Sequence, residues 1–433
     1  TFDELLVNLR KVKDEEKVSN IWFDVYNYYI SQKEWREKLL KAIELLDYNN
    51  SPEKINQENI DKLYGNTIKT SVSRLEQYSA CPFSYYIKYG LKLSERDIFK
   101  IQTIDTGNFM HEVIDDFFEE EEAKDIKQIT DEQIEKLVNK IIEQKLELKQ
   151  NYIYTSVPKY KVLINRLKRV ITKSMKYIVD SIRYSDFEVL GHELEFGNGK
   201  DYEPIKVQLE NGKNIEIIGK IDRIDIMKNE NGDYIRIIDY KSSVKNMDLN
   251  EVLAGIRLQL LTYMDAMCKQ EEAEPAGVFY YNLIEPMVKA SKNMTDEEIE
   301  EEIRKQFKMR GLILADIDIV RKMDKKLVTG SSNIIPATIN KDETLSNKSS
   351  NITKMQFEYL QKYTNKIIKQ ISEEILSGNI DVKPYYNTKD KKTPCEYCTY
   401  KSICQFDTGI CKKEYKYISN LEKETILEMM KEE

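Results

Sequence analysis

The sequence predicts an α/β fold in which a small mixed β-sheet is flanked by helices and preceded by a helical N-terminal extension. Apolar residues recur at helical spacing through residues 1–69, and β-rich runs follow one another between residues 187 and 240. A helical stretch at 249–269 then leads into another β-rich run at 277–283. The order of elements is helices, a strand meander, a helix and a further strand. This order is expected of an α/β domain built around one sheet.

The individual elements are predicted from apolar periodicity and from their flanking residues. Ser73, with Glu76 three residues later, is a candidate capping box for a helix that begins near residue 71. The stretch 325–352 is rich in Ser, Asn, Thr and Lys, and we expect a loose loop there. The predicted helices are 105–118, 131–150, 159–184, 249–269 and 354–376, and the predicted strands are 187–196, 206–209, 214–227, 234–240 and 277–283.

The composition predicts a folded protein without a membrane span. Of the 433 residues, 41% are hydrophobic, and no stretch approaches the 18 consecutive apolar residues of a transmembrane helix. The N-terminus resembles no signal peptide, so we expect a cytoplasmic protein. It also lacks an initiator methionine, which indicates a fragment of a longer chain. We find no phosphate-binding G-x-x-x-x-G-K-[ST] motif, so ATP hydrolysis by a P-loop is not expected.

The charge is slightly acidic overall but unevenly distributed. The chain has 67 basic and 75 acidic residues, which argues weakly against a nucleic-acid partner. However, the segment 151–178 carries seven lysines and arginines and no carboxylate, whereas 112–125 is dominated by acids. A basic helix beside an acidic region would suit a protein that binds a polyanionic substrate and acts on it with a metal ion. Two solvated helix faces explain the same pattern equally well.

A predicted β-hairpin carries the most specific local signal. Two β-rich runs flank Asn231-Gly232, a dipeptide that favours a two-residue type I′ turn. With such a turn, Asp222 lies opposite Lys241 and one diagonal step from Asp239, so that all three side chains share one sheet face.

Two carboxylates on one face of an isoleucine-rich hairpin repel each other unless a cation lies between them. A divalent ion held by these carboxylates would create a centre that cleaves phosphodiesters, and Lys241 would steady the attacking hydroxide or the phosphate. A cross-strand Asp–Lys pair at the surface is the alternative, and the strand pattern alone does not exclude it.

The wider pattern resembles the PD-(D/E)XK nuclease superfamily. Its core is Asp222 followed by Asp239-Tyr-Lys241, and Gln259-x-x-x-Tyr263 on the next helix is similar to the extra motif of the RecB-like branch. His111 on an earlier helix matches the upstream histidine of that branch, whereas we expect His192 to be structural.

This resemblance implies a metal site and a role for each motif residue. His111, Asp222, Asp239 and the Tyr240 carbonyl would hold Mg²⁺, and the imidazole would also make Mn²⁺ acceptable. Lys241 would position or activate the water. The remaining motif residues, Gln259 and Tyr263, would contact the DNA strand or order the site.

Four of the six cysteines are bunched near the C-terminus. Their local spacing is compatible with a zinc site that closes only short loops, and Cys268 is expected in the core. The four candidate zinc ligands are Cys395, Cys398, Cys404 and Cys411.

A second resemblance changes the preferred ligand set. The segments Ser71–Phe83 and Pro394–Asp407 are similar to the B subunit of bacterial AddAB (RexAB) helicase–nucleases. In that family, one cysteine before the nuclease core and three after it hold a [4Fe–4S] cluster. The positions that match here are Cys81, Cys395, Cys398 and Cys404, with Cys411 as a spare thiol, so the cluster would be a staple between the two ends of the domain.

The two resemblances together imply a function. We expect residues 1–69 to end a helicase-like region and residues 70–433 to form a RecB-like nuclease domain. The domain would degrade single strands, the 5′-ended strand by resemblance, during double-strand-break processing for recombination. Its partners would be DNA and an AddA-like helicase–nuclease subunit, and no membrane. Two alternatives are a catalytically idle DNA-binding scaffold for a motor subunit and a free-standing four-cysteine exonuclease.

Overall fold

The structure is a computed structural model, and it describes most of the chain. The described residues are 1–46, 52–65, 67–96, 100–148, 151–210, 212–230, 232–289, 293–408 and 414–432. Within these ranges, no helix is long and apolar enough to cross a membrane.

The predicted helices are found close to their predicted positions except the one at 249–269, and Lys354–Leu376 has the predicted bounds. It is not the final helix, however, because a further helix, Lys423–Glu432, follows it. The helices are α1 (Phe2–Lys13), α2 (Ile21–Ser31), α3 (Lys33–Leu46), α4 (Gln57–Tyr64), α5 (Val72–Ala80), α6 (Pro82–Tyr85), α7 (Thr103–Glu119), α8 (Asp131–Glu147), α9 (Tyr152–Thr155), α10 (Pro158–Arg183), α11 (Leu249–Leu253), α12 (Gln259–Gln270), α13 (Asp296–Gln306), α14 (Ile317–Met323), α15 (Lys354–Leu376), α16 (Lys401–Cys404) and α17 (Lys423–Glu432), with short turns of π- or 3₁₀-helix at Tyr86–Gly90, Glu121–Ala123 and Pro394–Tyr397.

Within the described residues, the strands form one large sheet and three small ones. They are β1 (Thr67–Thr70), β2 (Glu188–Phe196), β3 (Ile205–Gln208), β4 (Asn214–Ile217), β5 (Gly219–Met227), β6 (Tyr234–Lys241), β7 (Glu274–Asn282), β8 (Arg310–Leu314), β9 (Gly330–Ser331), β10 (Thr338–Ile339), β11 (Asn351–Ile352), β12 (Tyr385–Asn387) and β13 (Lys416–Ile418).

The large sheet confirms the predicted α/β class. Its six strands follow the order β11–β8–β7–β6–β5–β2, with β6 parallel to β7 and with β5 antiparallel to β6 and β2. Helix α12 packs on β6 and β7, and α7 packs against β2 and against α8 and α10. The sheet is therefore mixed and flanked by helices.

The register of the β5–β6 hairpin differs from the predicted one. Arg223 pairs with Ile238, so the pairing is displaced by two residues and Asp222 falls beside Asp239 instead of Lys241. Side chains alternate with a period of two, so a two-residue shift leaves every side chain on its predicted face. The predicted convergence of the three site residues on one face therefore survives a wrong register.

The connection between the two strands explains the shift. The sequence predicts a turn at Asn231-Gly232, but residue 231 lies outside the described residues, and the strands already separate after Met227. Asp233 accepts a hydrogen bond from the backbone N–H of Asn229 (3.2 Å) and one from the Lys228 ammonium (2.7 Å). These bonds stabilise a loop that is wider than two residues.

The run predicted as one strand at 214–227 is divided between two sheets. β4 pairs with β1 and β3, whereas β5 belongs to the large sheet. Between them, the backbone N–H of Ile218 donates to the Thr70 carbonyl (2.8 Å). Gly219 begins β5 where a Cβ would lie 2.2 Å from the Tyr263 hydroxyl, so the close approach of α12 requires a glycine there.

Two predicted helix features are corrected. The helix predicted at 249–269 is broken into α11 and α12, and Glu76 does not form a capping box with Ser73. The N-cap of α5 is Ser71. The buried Glu76 carboxylate instead accepts the backbone N–H groups of Leu258 (2.7 Å) and Gln259 (3.0 Å), which lie at the start of α12. A capping carboxylate that is distant in sequence cannot be recognised from local spacing.

The stretch 325–352 is not a loose loop. It contains β9, β10 and β11, and its polar side chains bond to its own backbone. The Ser332 hydroxyl donates to Asp324 (2.7 Å) and accepts the N–H groups of Ile334 and Ile335 (2.9 Å each). Residues that favour loops by composition here satisfy the backbone of an ordered turn.

A buried charge network lies on the opposite face of β5 and β6 from the three predicted site residues. Arg223, Asp225 and Arg236 are each at most 1% exposed. Asp225 accepts two hydrogen bonds from Arg223 (2.6 Å each) and one from Arg236 (2.8 Å). Two guanidinium groups therefore share one carboxylate as their counter-charge in the core.

We predict that Asp225→Asn strongly destabilises the fold, because it leaves two buried guanidinium groups without a counter-charge. The expected loss in the free energy of unfolding is about 3–5 kcal/mol, measured by denaturant unfolding. Glu58→Gln removes an exposed partner of Lys62 and is the matched control, with an expected loss of less than about 1 kcal/mol. Equal unfolding midpoints for the two variants would show that the network contributes nothing specific.

Candidate metal centre

Three carboxylates lie side by side across the large sheet. The residue pairs that flank them place Glu193 of β2 opposite Asp222 of β5, and the β5–β6 register continues to Asp239 of β6. Asp239 in turn pairs with Tyr280 of β7. Neighbouring strands are about 4.8 Å apart, so the three acids form one compact anionic row.

His111 brings an imidazole to this row from α7. Its Nδ1 lies 3.5 Å from an Asp222 oxygen and 3.7 Å from a Glu193 oxygen. Ligand atoms of His111, Glu193 and Asp222 all lie within 4.8 Å of one another, and no other such group is found among the described residues. One nitrogen and several carboxylate oxygens are a donor set that fits Mg²⁺ or Mn²⁺.

Glu193 is the residue of this group that the sequence prediction missed. Its backbone has a φ of +50°, in the left-handed region, where the strand departs from regular geometry. Neither this conformation nor the pairing of β2 with β5 can be read from the sequence. The signal that the sequence does offer for Glu193 is its position as an acidic residue next to His192 inside a predicted strand.

His192 has a different environment, as expected for a structural histidine. Its Nδ1 lies 2.5 Å from an Asp115 oxygen and its Nε2 lies 3.3 Å from Glu119. The ring stacks on Phe118 with 5.3 Å between the centroids. These contacts hold β2 against α7 and keep His192 out of the metal-binding group.

The electrostatics of the row favour a bound cation. Burial, followed by the charge of Asp239, raises the pKa of Asp222 to about 7. Burial also raises the pKa of Asp239, although Lys241 opposes this shift. For His111, burial alone would lower the pKa, but the Glu193 hydrogen bond and the Asp222 charge raise it overall. The charged forms of Asp222 and Asp239 are therefore disfavoured in the absence of a neighbouring cation.

Lys241 and Tyr240 contact the row from β6. The Lys241 ammonium lies 2.5 Å from an Asp239 oxygen, as expected for residues two apart on one face. The Tyr240 backbone N–H donates to Asp222 (2.7 Å), whereas its side chain is buried. The main chain of Tyr240 therefore borders the site.

Gln259 and Tyr263 share one face of α12, as predicted. Tyr263 is 4% exposed and stacks on Phe196, with 5.7 Å between the ring centroids. Its hydroxyl lies over Gly219, next to the strand that carries Asp222. Such deep burial favours ordering of the site over direct contact with a DNA strand.

The basic face of α10 is paired with carboxylates. Arg166 and Arg169 bind Glu285 at 3.0 and 2.9 Å. Three lysines of the same helix also contact carboxylates of neighbouring elements. These pairs are Lys168 with Glu143, Lys173 with Glu300 and Lys176 with Glu135. The pattern agrees better with solvated helix faces than with a free phosphate-binding stripe.

Four of the six cysteines line one cavity of about 570 Å³ between the end of α5 and the C-terminal segment. Cys411 lies outside the described residues, so its role as a spare thiol stays a prediction. Burial raises the pKa of Cys81 to about 11 and also raises that of Cys395. The four that line the cavity are Cys81, Cys395, Cys398 and Cys404.

The spacing of these thiols differs from that of a compact zinc site. Tetrahedral zinc with 2.3 Å bonds places its sulfur ligands roughly 3.8 Å apart. Among the described residues, no three cysteine sulfurs come within 4.8 Å of one another. Next to the cavity, the segment around Cys81 contacts the residues that follow α15, because the backbone N–H of Phe83 donates to the Asp381 carbonyl (3.2 Å) and the Tyr78 hydroxyl donates to the Asn379 carbonyl (3.2 Å).

Comparisons with known proteins agree with this geometry. Residues 69–405 match the profile of the PD-(D/E)XK nuclease superfamily, and residues 1–44 match that of the ATP-dependent helicase/deoxyribonuclease AddB fifth domain. The chain is similar to B subunits of ATP-dependent helicase/deoxyribonucleases. It is 40% identical to that of Thermoanaerobacter sp. (strain X514) over 440 residues and 41% identical to that of Clostridium novyi (strain NT) over 441 residues. Each alignment covers 100% of this chain and 38% of the relative.

We predict that Asp222→Asn stabilises the metal-free chain and weakens its binding of Mn²⁺. The folded state holds the Asp222 proton up to a pKa of about 7, whereas the unfolded chain releases it near pH 4. Stability therefore falls as the pH rises from 4 to 7, and the full penalty remains above 7. Asparagine removes this penalty.

Calorimetry in EDTA at pH 8 should show a melting temperature at least about 2 °C higher for Asp222→Asn than for the parent. The gain should shrink as the pH is lowered toward 4. Glu203→Gln, at an exposed position, should leave the melting temperature unchanged. A pH-independent difference for Asp222→Asn would contradict the raised pKa.

Proposed function

Since this chain belongs to the PD-(D/E)XK nuclease superfamily, we propose that it is a metal-dependent deoxyribonuclease that degrades single DNA strands. The observation that carries this proposal is the group of His111, Glu193 and Asp222 beside the Asp239–Lys241 pair. A buried anionic row next to an ammonium group has the charge pattern that phosphodiester hydrolysis requires.

In this proposal, His111, Asp222, Asp239 and the Tyr240 carbonyl hold Mg²⁺ or Mn²⁺, and Glu193 is a further carboxylate within reach of the ion. A bound divalent ion supplies an acidified water and stabilises the charge that develops on the phosphate. The raised pKa values of Asp222 and Asp239 support this assignment, because a cation would release their protons.

The other residues of the site position the attacking water and hold the neighbouring helix in place. The Lys241 ammonium, held at 2.5 Å by Asp239, positions the attacking water or steadies the hydroxide. Tyr263 and Gln259 fix α12 against β5, and Glu76 fixes the first turn of that helix by accepting the Gln259 N–H group. These contacts keep the carboxylate row at its working spacing.

We also propose that Cys81, Cys395, Cys398 and Cys404 bind a [4Fe–4S] cluster with a structural role. Their position around one cavity supports this, and among the described residues no three of their sulfurs lie within 4.8 Å of one another, as a single zinc ion would require. The cluster would join the end of α5 to the C-terminal segment. The cytoplasm, where thiols stay reduced, is the location that suits such ligands.

We place this activity in a helicase–nuclease complex. The curated relatives are named as B subunits of ATP-dependent helicase/deoxyribonucleases, and this chain spans 38% of their length. In the proposed arrangement, residues 1–69 end a preceding helicase-like region and residues 70–433 form the nuclease domain. An AddA-like subunit would supply the motor, and the nuclease would cut the 5′-ended strand during recombinational repair of DNA breaks.

We predict that the anaerobically prepared chain digests end-labelled single-stranded DNA in Mg²⁺, and that Asp239→Ala and Lys241→Ala each reduce the cleavage rate at least about 100-fold without unfolding the chain. Gel analysis of the products and circular dichroism check both parts. Cleavage by the chain that is lost in Asp239→Ala would establish the nuclease and leave the strand polarity and the partner to be determined.

If the parent cleaves only with an AddA-like subunit, the helicase–nuclease assignment is supported. Cleavage by neither the chain nor the complex, with the fold intact, would identify an idle scaffold and refute the nuclease proposal.

We predict that Cys398→Ala loses the iron–sulfur absorbance and lowers the melting temperature, because one thiolate ligand is removed. Cys268→Ala is the matched control, since Cys268 lies on α12 with its sulfur 3.5 Å from that of Met264 and away from the cavity. Visible absorbance and iron content measure the cluster. If Cys398→Ala keeps the iron content and the melting temperature of the parent, the proposed structural cluster is contradicted.

A further inference from the structure

Lys245 lies beside the metal centre, in the segment that follows β6. Its backbone N–H donates to the Asn282 side-chain oxygen (2.9 Å), and Asn282 pairs with Lys241 across the parallel strands β6 and β7. This bond fixes the position of Lys245 at the carboxyl ends of two parallel strands, which is where open α/β sheets bind their ligands.

The side chain of Lys245 is a half-buried cation without a carboxylate partner. In the part of the chain that the structure describes, no Asp or Glu oxygen lies within salt-bridge distance of its ammonium. The carboxylate whose charge acts on it, Glu251, is engaged by another cation, because it pairs with Arg257 (2.5 Å).

The surroundings of Lys245 are themselves positive. The Lys241 ammonium and the Arg257 guanidinium lie 6.0 and 5.9 Å from the centroid of the Tyr280 ring, two residues before Asn282. Burial, followed by the charge of Arg257, lowers the pKa of Lys245, and Lys241 and Lys392 act in the same direction.

Such an arrangement is unfavourable in the free protein. A half-buried ammonium loses hydration and gains like-charge repulsion, and the charge of Glu251, which is paired with Arg257, does not outweigh these effects. An anion between these cations would offset them. Phosphodiester groups are spaced along a DNA strand, so a strand whose scissile phosphate lies at the carboxylate row brings further anions to the adjoining segment.

We propose that Lys245 binds a backbone phosphate of the DNA strand adjacent to the one that is cut, which makes the end of β6 a phosphate subsite. This inference rests on the proposed nuclease function and deepens it. Recognition at this position is independent of base sequence, because the backbone carries the contact. Arg257 and Lys241 contribute to the field around the phosphate but remain paired with their own carboxylates.

The test measures how the affinity for oligo-dT depends on salt. In an Asp239→Ala background, which prevents cleavage, the dissociation constant is determined between 50 and 200 mM NaCl for the parent, Lys245→Gln, Lys245→Arg and Lys228→Gln. Lys228 is the matched control, because it is paired with Asp233 at the opposite end of the hairpin and its removal changes the net charge equally.

Loss of one phosphate contact on a single strand reduces the slope of log K against log salt by about 0.7. Over this fourfold salt range, the factor by which affinity falls should therefore be about 2.6 times smaller for Lys245→Gln than for the parent. Lys245→Arg should restore the slope and Lys228→Gln should keep it. A merely structural role would lower affinity or melting temperature without changing the slope.

An unchanged slope and affinity for Lys245→Gln would overturn the subsite, and so would a slope reduced equally in Lys228→Gln. The nuclease proposal fails separately, when the chain with intact Asp239 and its motor partner leaves labelled DNA uncut. A reduced slope in Lys245→Gln with no cleavage by that complex would keep the subsite as a DNA-binding feature only.

Discussion

The juxtaposition of like charges across β2, β5 and β6 is the constraint on which the site depends. Glu193, Asp222 and Asp239 are held side by side by backbone pairing. Without that pairing, the repulsion between their carboxylates would drive them apart. The sheet provides the opposing force, because its strands are packed between helices and its other face contains the Arg223–Asp225–Arg236 network. A rigid scaffold of this kind keeps these carboxylates together, and a divalent cation bound between them would relieve their repulsion.

Most of the fold can be predicted from the sequence because its signals are local. The helix Lys354–Leu376 follows a regular apolar period and is found with the predicted bounds, and β6 follows its β-rich run to within one residue. The run 214–227 is also β-rich, but it is divided into β4 and β5. The predictions that fail depend on distant partners. Glu76 caps a helix about 180 residues away, and the polar stretch 325–352 is ordered by bonds that its composition does not reveal.

The candidate site shows the same division. Asp222, Asp239 and Lys241 are predicted on one face, and their convergence holds although the register is two residues off, because that shift preserves side-chain alternation. The position of His111 next to Asp222 rests on a family resemblance rather than on spacing. Glu193 is missed because its role depends on the left-handed backbone of one strand residue and on the pairing of β2 with β5.

The hydrogen bonds from Phe83 to Asp381 and from Tyr78 to Asn379 bear on how the proposed cluster would be delivered. They join the segment of Cys81 to the residues that follow α15 without any thiol, so this contact would form in a chain that holds no iron. An iron–sulfur assembly system would then meet an open, prealigned cavity on a chain that is already folded. Maturation of this protein would be a late insertion step, and the supply of clusters would control the amount of finished enzyme without controlling the folding of its core.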